Sequence, residues 1–275
     1  RPDQGHSHRR AVRTATVTRT ATDAGGHSVT FSQTLQIDDA APALLYDSLV
    51  DSLANWTLEN GQANNTASYD KASNVTQDAA GAILIRGARE TAPNGAAFTS
   101  GDALGRHITL PDAYVAEVVA TLPYGQGIWP CPFWTRPKVG NDGEIDLMEQ
   151  FGTTPYMKTT IHGPYAAPHP MVGRTRRWDT LPNPSQTAEH MWRLEKTLTA
   201  IRTYVDGLLI GEITRDQAIA AGINWDLIYG PGVTHYPRIT LQLGCGVNNP
   251  GCASGMPPAS FTSCVLKVSR IRIWA

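Results

Sequence analysis

The 275-residue chain carries 23 Lys and Arg against 24 Asp and Glu, a net charge of −1. That balance argues against a nucleic-acid binder, which shows a basic excess, and against a polybasic membrane-surface protein. No apolar run reaches the ~18 residues of a membrane span, and the low charged fraction, 17%, is of the kind found in strand-rich secreted proteins.

Length alone leaves the domain count open. At about 150 residues per domain it suggests two, but all-β units of about 200–250 residues occur as one. The first ten residues, RPDQGHSHRR, are polar, charged and aperiodic, as in a linker. A hairpin pattern follows: strand character over Ala15–Thr20, a turn at Asp23-Ala24-Gly25-Gly26, and strand character again over Ser28–Ser32. This stretch resembles the last two strands of a bacterial immunoglobulin-like repeat. Residues 1–41 are therefore expected to be a linker and the end of a neighbouring module, cut from a longer chain. Residues 42–275 remain for one further domain.

From Leu44 onward short strands alternate with turns. Strand patterns cover Ala82–Gly87, Tyr114–Leu122, Asp146–Phe151, Thr159–His162, Arg202–Val205, Ile239–Leu243 and Arg270–Trp274. Val205-Asp206-Gly207-Leu208 is a hairpin signal, because Asp-Gly suits the two positive φ angles of a type I′ turn. Only Arg215–Ala221 reads as helical. Many strands with one brief helix predict an all-β sandwich. Along Pro237–Cys245, Ile239, Leu241 and Leu243 share one face, and Arg238, Thr240 and Gln242 share the other. The polar face belongs to solvent or to a sugar-binding cleft, and position alone favours solvent.

The four cysteines are Cys131, Cys245, Cys252 and Cys264. They match no tight zinc pattern. Three of them crowd into a Gly/Pro-rich region near the end, which points to an oxidising compartment and one or two disulfides. The pairing stays open.

The most informative segment is Gly143-Glu144-Ile145-Asp146-Leu147-Met148-Glu149. Glu144 and Asp146 are two apart and share a strand face, whereas Glu149 is five from Glu144 and would face the other way. One extra residue, a β-bulge near Leu147-Met148, would bring Glu149 back, and bulges are enriched beside active sites. Three clustered carboxylates cannot all ionise easily, so at least one should keep its proton near neutral pH. A glycosidase needs that division between one ionised and one protonated carboxyl. The bland alternative is an amphipathic strand with three solvated acids.

The surroundings decide between the two. Upstream stands Gly125-Gln126-Gly127-Ile128-Trp129-Pro130-Cys131-Pro132-Phe133-Trp134. GEIDLME resembles the bulged catalytic motif of glycoside hydrolase family 16, and Gln126–Trp134 resembles that family's "GxWPAFW" strand. Further ordered matches are Phe98-Thr99-Ser100-Gly101, Thr160-Ile161-His162, His190–Gly207 and Ile271–Trp274, so the resemblance runs from about residue 45 to 274. It implies a β-jelly roll of two antiparallel sheets with a concave sugar cleft. It also implies a retaining endo-acting β-glycan hydrolase, most like the β-1,3-glucanases (laminarinases). Galactan cleavage, transglycosylation and a carbohydrate-binding or structural surface or phage-tail module are the alternatives.

Carried over residue by residue, the resemblance makes Glu144 the nucleophile, Glu149 the general acid/base and Asp146 the helper between them. Trp129 and Trp134 become sugar platforms, and His162 and Gln242 cleft residues. Five residues apart, the two tryptophans would fall on opposite faces of a regular strand, although Pro130 and Pro132 disturb its regularity. No cofactor is required. Many members hold a structural calcium through an Asp just before the closing strand, where this chain has Ser269, so calcium is not carried over. Gly244–Cys252 departs from the family's "GGNWPG", which leaves the substrate subsites open. The segment His169–Pro184, with Arg174, Arg176 and Arg177, reads as a solvated basic loop. The expected partner is a polysaccharide, with no nucleic acid and no membrane, met outside the cell or at a cell or virion surface by a monomeric catalytic module.

Overall fold

The computed structural model describes residues 12–22, 28–38, 42–62, 66–139, 142–245 and 252–275. The chain divides into two units, Arg1–Ala43 and Leu44–Ala275. In the first, strands Val12–Thr22 and Ser28–Asp38 pair antiparallel, from Val12 opposite Asp38 to Thr22 opposite Ser28. The turn expected at Asp23–Gly26 lies outside the described residues, as does the linker-like start.

The second unit is a sandwich of two antiparallel sheets. One runs in the order Met171–Arg177, Tyr156–His162, Glu144–Gln150, Ile128–Pro137, His235–Leu243, Phe98–Leu104 and Thr57–Leu58. The other runs Leu208–Thr214, Ala200–Val205, Glu189–Lys196, Tyr114–Thr121, Ser263–Trp274, Ile83–Arg89 and Val75–Gln77. Alternation writes the layers into the sequence. Tyr114, Ala116, Val118 and Ala120 are buried, while the residues between them are half-exposed. The inward residues of both sheets meet in one core containing Phe133, Ile145, Trp192, Leu241 and Ile271.

Phe98–Leu104 belongs to both layers. Its first residues pair with Ile83–Arg89 and its last with His235–Leu243. Such switching strands form the corners of sandwiches. Gly101 lies at the crossing, where a Cβ would come within 2.7 Å of Val75 Cγ2, so only glycine lets the layers approach.

The turn at Asp206-Gly207 has φ of 49° and 79°, both in the left-handed region, as the Asp-Gly signal requires. The helix Arg215–Ala220 starts at a capping box between Thr214 and Gln217. A second helix, Trp225–Ile228, was not expected, because one turn is too short to show a period. The reading of His169–Pro184 as a basic loop needs correction, since Met171–Arg177 is an edge strand of the first sheet. Its arginines are committed locally: Arg174 to Gln217 and the Glu212 carbonyl, Arg176 to the Leu209 carbonyl, and Arg177 to Asp179. No helix among the described residues is long and apolar enough to cross a membrane.

Candidate active site

The carboxylate strand lies between Ile128–Pro137 and Tyr156–His162. Glu144 stands opposite His162 and Asp146 opposite Thr160; the register then shifts, and Glu149 stands opposite Lys158. One extra residue sits on the carboxylate strand between Asp146 and Glu149. Leu147 and Met148 are both fully buried in the core. The bulge puts two consecutive side chains inside and returns Glu149 to the face of Glu144 and Asp146. All three line one cleft of about 790 Å³.

The neighbouring strand uses the same device. Trp129 pairs with Gln242 and Cys131 with Thr240, but Trp134 pairs with Arg238, so here too one extra residue lies between Cys131 and Trp134. That shift reverses the parity of an odd spacing. Trp129 and Trp134 therefore both line the cleft, together with His162 and Gln242. The polar face of His235–Leu243 points the same way: Arg238, Thr240 and Gln242 border the cleft rather than open solvent.

Each carboxylate has its own environment. Glu149 is buried and accepts from Trp129 Nε1 at 3.0 Å and from the Thr160 hydroxyl at 3.3 Å. Burial and then the nearby Glu144 charge push its pKa up to about 7, although Lys158 and both donors favour the anion. Asp146 is pushed well above the ordinary range, by burial and then by Glu144 and Glu149. A protonated Asp146 donates to Glu144, and that bond together with the Tyr165 hydroxyl favours the Glu144 anion against the burial that raises its pKa. The hydrogen bonds from Asp146 and Tyr165 thus oppose the rise at Glu144, the neighbouring carboxylates add to the rise at Asp146, and Glu149 is poised near neutrality.

His162 Nε2 lies 3.1 Å from Asp146 Oδ2, and its Nδ1 lies 3.1 Å from His169 Nε2. Burial, then the charges of His169 and Lys158, lower its pKa to about 3, so the ring is neutral. With the Asp146 proton directed at Glu144, Nε2–H donates to Asp146 and Nδ1 accepts from His169.

Trp129 packs at 4.8 Å against Phe151. Trp134 donates to the Thr240 hydroxyl at 2.6 Å, and the Arg238 guanidinium lies 4.0 Å over its ring. Arg238 is in turn ion-paired with the buried Asp102. One face of Trp134 is therefore taken by a cation, and Trp129 is the more open of the two rings. Sequence reasoning missed Tyr165, Arg136, Asp70 and Asp102, all of which line the cleft. Asp102 stands one residue beyond Phe98–Gly101, but Tyr165 sits in an aperiodic loop that carries no signal.

Glu144, Asp146 and His162 offer ligand atoms within 4.8 Å of one another. These groups already hydrogen-bond among themselves, and a cation there would occupy the very carboxylate that must stay free. At the position of the family's calcium Asp, the Ser269 hydroxyl donates to Glu189 at 2.6 Å. Cys245 and Cys252 form a disulfide, while Cys131 and Cys264 are free thiols. Cys131 lines the cleft, but burial followed by the three carboxylates keeps it a thiol.

No family model matches the chain. It is 26% identical over 166 residues to a β-glucanase of Rhodothermus marinus, and the match spans 57% of each chain, a little over half of that relative's length. Among solved structures it superposes on an endo-β-1,3-glucanase from Pyrococcus furiosus with a TM-score of 0.68 and 25% identity, over 84% of this chain and 94% of that one. The laminarinase catalytic domain of Thermotoga maritima gives 0.69 and 21%, over 85% and 98%. A non-specific endo-β-1,3(4)-glucanase of family 16 gives 0.67 and 21%, over 86% and 92%. The chain shares the fold of these glucanases, and its bulged E-x-D-x-x-E strand resembles the catalytic motif of glycoside hydrolase family 16. The disulfide joins Cys245 and Cys252, which flank the stretch of sequence that departs from the family 16 pattern.

Proposed function

We propose that the protein is a retaining endo-acting β-glucan hydrolase that cleaves β-1,3-glucan by double displacement. The observation that carries this is the convergence of Glu144, Asp146 and Glu149 on one cleft through a one-residue bulge, with Glu149 poised near neutral pH. The Glu144 carboxylate attacks the anomeric carbon and forms a glycosyl ester, while Glu149 protonates the departing oxygen. Glu149 then takes a proton from water, which attacks the same carbon and releases Glu144. Asp146 holds Glu144 in place and keeps it ionised. Trp129 presents an aromatic face to a pyranose ring, and Gln242 and Arg238 supply polar groups for its hydroxyls. No cofactor enters these steps.

The substrate assignment is supported by likeness to the Pyrococcus endo-β-1,3-glucanase. LamA of Zobellia galactanivorans, which shares the fold at 20% identity, has been solved as a variant in complex with laminaritriose and laminaritetraose. The disulfide suits an oxidising, extracellular or cell-surface setting, in which the catalytic unit acts as a monomer. Reducing-sugar release from β-1,3-glucan, mixed-linked glucan and galactan tests the reading. It expects cleavage of β-1,3-glucan that is lost in Glu144→Ala. Equal inertness of both proteins on every polymer would refute hydrolysis, and preference for galactan would refute the substrate.

A further inference from the structure

We propose that one loop, residues 163–170, positions the Glu144 carboxylate from two sides. Tyr165 donates to it directly, and His169 acts on it through His162 and Asp146. The catalytic consequence rests on the glycosidase reading of Glu144; the positioning itself does not.

The loop joins Tyr156–His162 to Met171–Arg177 and is closed at its neck, where Gly163 N–H donates to the Pro170 carbonyl at 2.8 Å. Inside it, His169 N–H donates to the Ala166 carbonyl at 2.9 Å, and His169 has φ of 44°. A non-glycine residue seldom adopts that conformation, and such residues gather at functional sites. The result is a short stack. Tyr165 and His169 lie 4.9 Å apart, His169 and His162 lie 5.1 Å apart, and the Arg136 guanidinium sits 5.2 Å over Tyr165.

Two hydrogen-bonded routes leave this stack and end on the same carboxylate. The Tyr165 hydroxyl donates to Glu144 Oε2. His169 Nε2 donates to His162 Nδ1, and His162 Nε2–H donates to Asp146 Oδ2. Asp146 then turns its own proton toward Glu144. Burial and the adjacent carboxylates raise the Tyr165 pKa, so its hydroxyl remains a donor. The other groups facing Glu144 are Glu149 on its own strand, Arg136 and Arg238 from strands on one side, and His162 from the other, its Nε2 3.8 Å from Glu144 Oε1. The Tyr229 hydroxyl bonds the backbone of Glu144 and of His162. Tyr165 and His169 are thus positioning residues: neither needs to touch sugar to set the charge and aim of the nucleophile.

The test compares wild type with Tyr165→Phe, His169→Phe and His169→Gln. Glu144 ionisation is read by carbon-13 NMR of labelled glutamate carboxyls, its signal identified by its loss in Glu144→Gln. Kinetics against pH are measured on β-1,3-glucan. Tyr165→Phe keeps the ring and removes one donor to the anion, so the Glu144 pKa should rise by about one unit. The acidic limb of the rate profile should follow it, with kcat down about tenfold and KM within about twofold. His169→Phe should give a smaller shift in the same direction. His169→Gln, whose amide N–H still reaches His162, should restore most of it. Unchanged Glu144 titration in both Phe variants, with wild-type thermal unfolding, would overturn the proposal. A shifted titration in a protein that cleaves no glucan would sustain the positioning and overturn the hydrolase reading instead.

Discussion

Trp129 shows how one side chain serves two demands. Its ring lines the cleft, and its indole N–H holds Glu149 at 3.0 Å. That donation favours the Glu149 anion, while burial favours the acid and leaves the balance near pH 7. Trp129→Phe keeps an aromatic face and removes the donor. The Glu149 pKa should then rise, and the basic limb of kcat/KM should move up by about one pH unit. A pH–rate profile checks this, and an unmoved limb would mean that Glu149 is not the acid. At this scale the sequence showed the acids clearly, because E-x-D-x-x-E on a strand is legible from spacing. The Asp102–Arg238 pair was not legible: its partners stand 136 positions apart and meet only because Phe98–Leu104 pairs with His235–Leu243.

Two neighbouring strands each carry one extra residue, and both irregularities aim side chains at the same cleft. The carboxylate bulge could be inferred, because three acids shared between opposite faces would otherwise bury one of them in the core. The tryptophan strand was ambiguous by parity, and its prolines were the only clue. In the carboxylate bulge, Met148 fills core space while its backbone sets the turn toward Glu149. Met148→Ala should cost about 2–5 kcal/mol of stability. It should also lower kcat more than it raises KM, because it loosens the acid rather than the sugar site. Met148→Leu, nearly equal in volume, should cost less than about 1.5 kcal/mol. Urea unfolding and steady-state kinetics on the pair separate packing from aim, and equal losses in both variants would deny the bulge its packing role. The Tyr165 loop was illegible because its reach depends on a path closed by Gly163 and Pro170, not on any period.

For the whole molecule, the site is held against the fold's own electrostatic preference. Glu144, Asp146 and Glu149 all have folded-state pKa values above the ordinary carboxylate range. These three carboxyls therefore bind more protons in the folded chain than in the unfolded one, and their own contribution to stability falls as pH rises through their folded-state pKa values, that of Glu149 being about 7. Glu149→Gln keeps the shape and removes one such charge, so it should stabilise the protein by about 2–3 kcal/mol at pH 8 and hardly at all at pH 4. Denaturant midpoints at the two pH values test this, and a gain independent of pH would contradict it. The sandwich itself was readable from alternation and turn residues, since burial on one face imposes a period of two. The assignment of the polar face of His235–Leu243 was not, because solvent and cleft both accept polar side chains.

The central claim is that Glu144 attacks sugar from a strand it shares with Glu149. Proton NMR of the first product released from β-1,3-glucan, recorded before the anomers equilibrate, tests it most directly. Double displacement predicts the β-anomer, with the configuration of the cleaved bond retained. The α-anomer would mean single displacement by water, and Glu144 would not be the nucleophile.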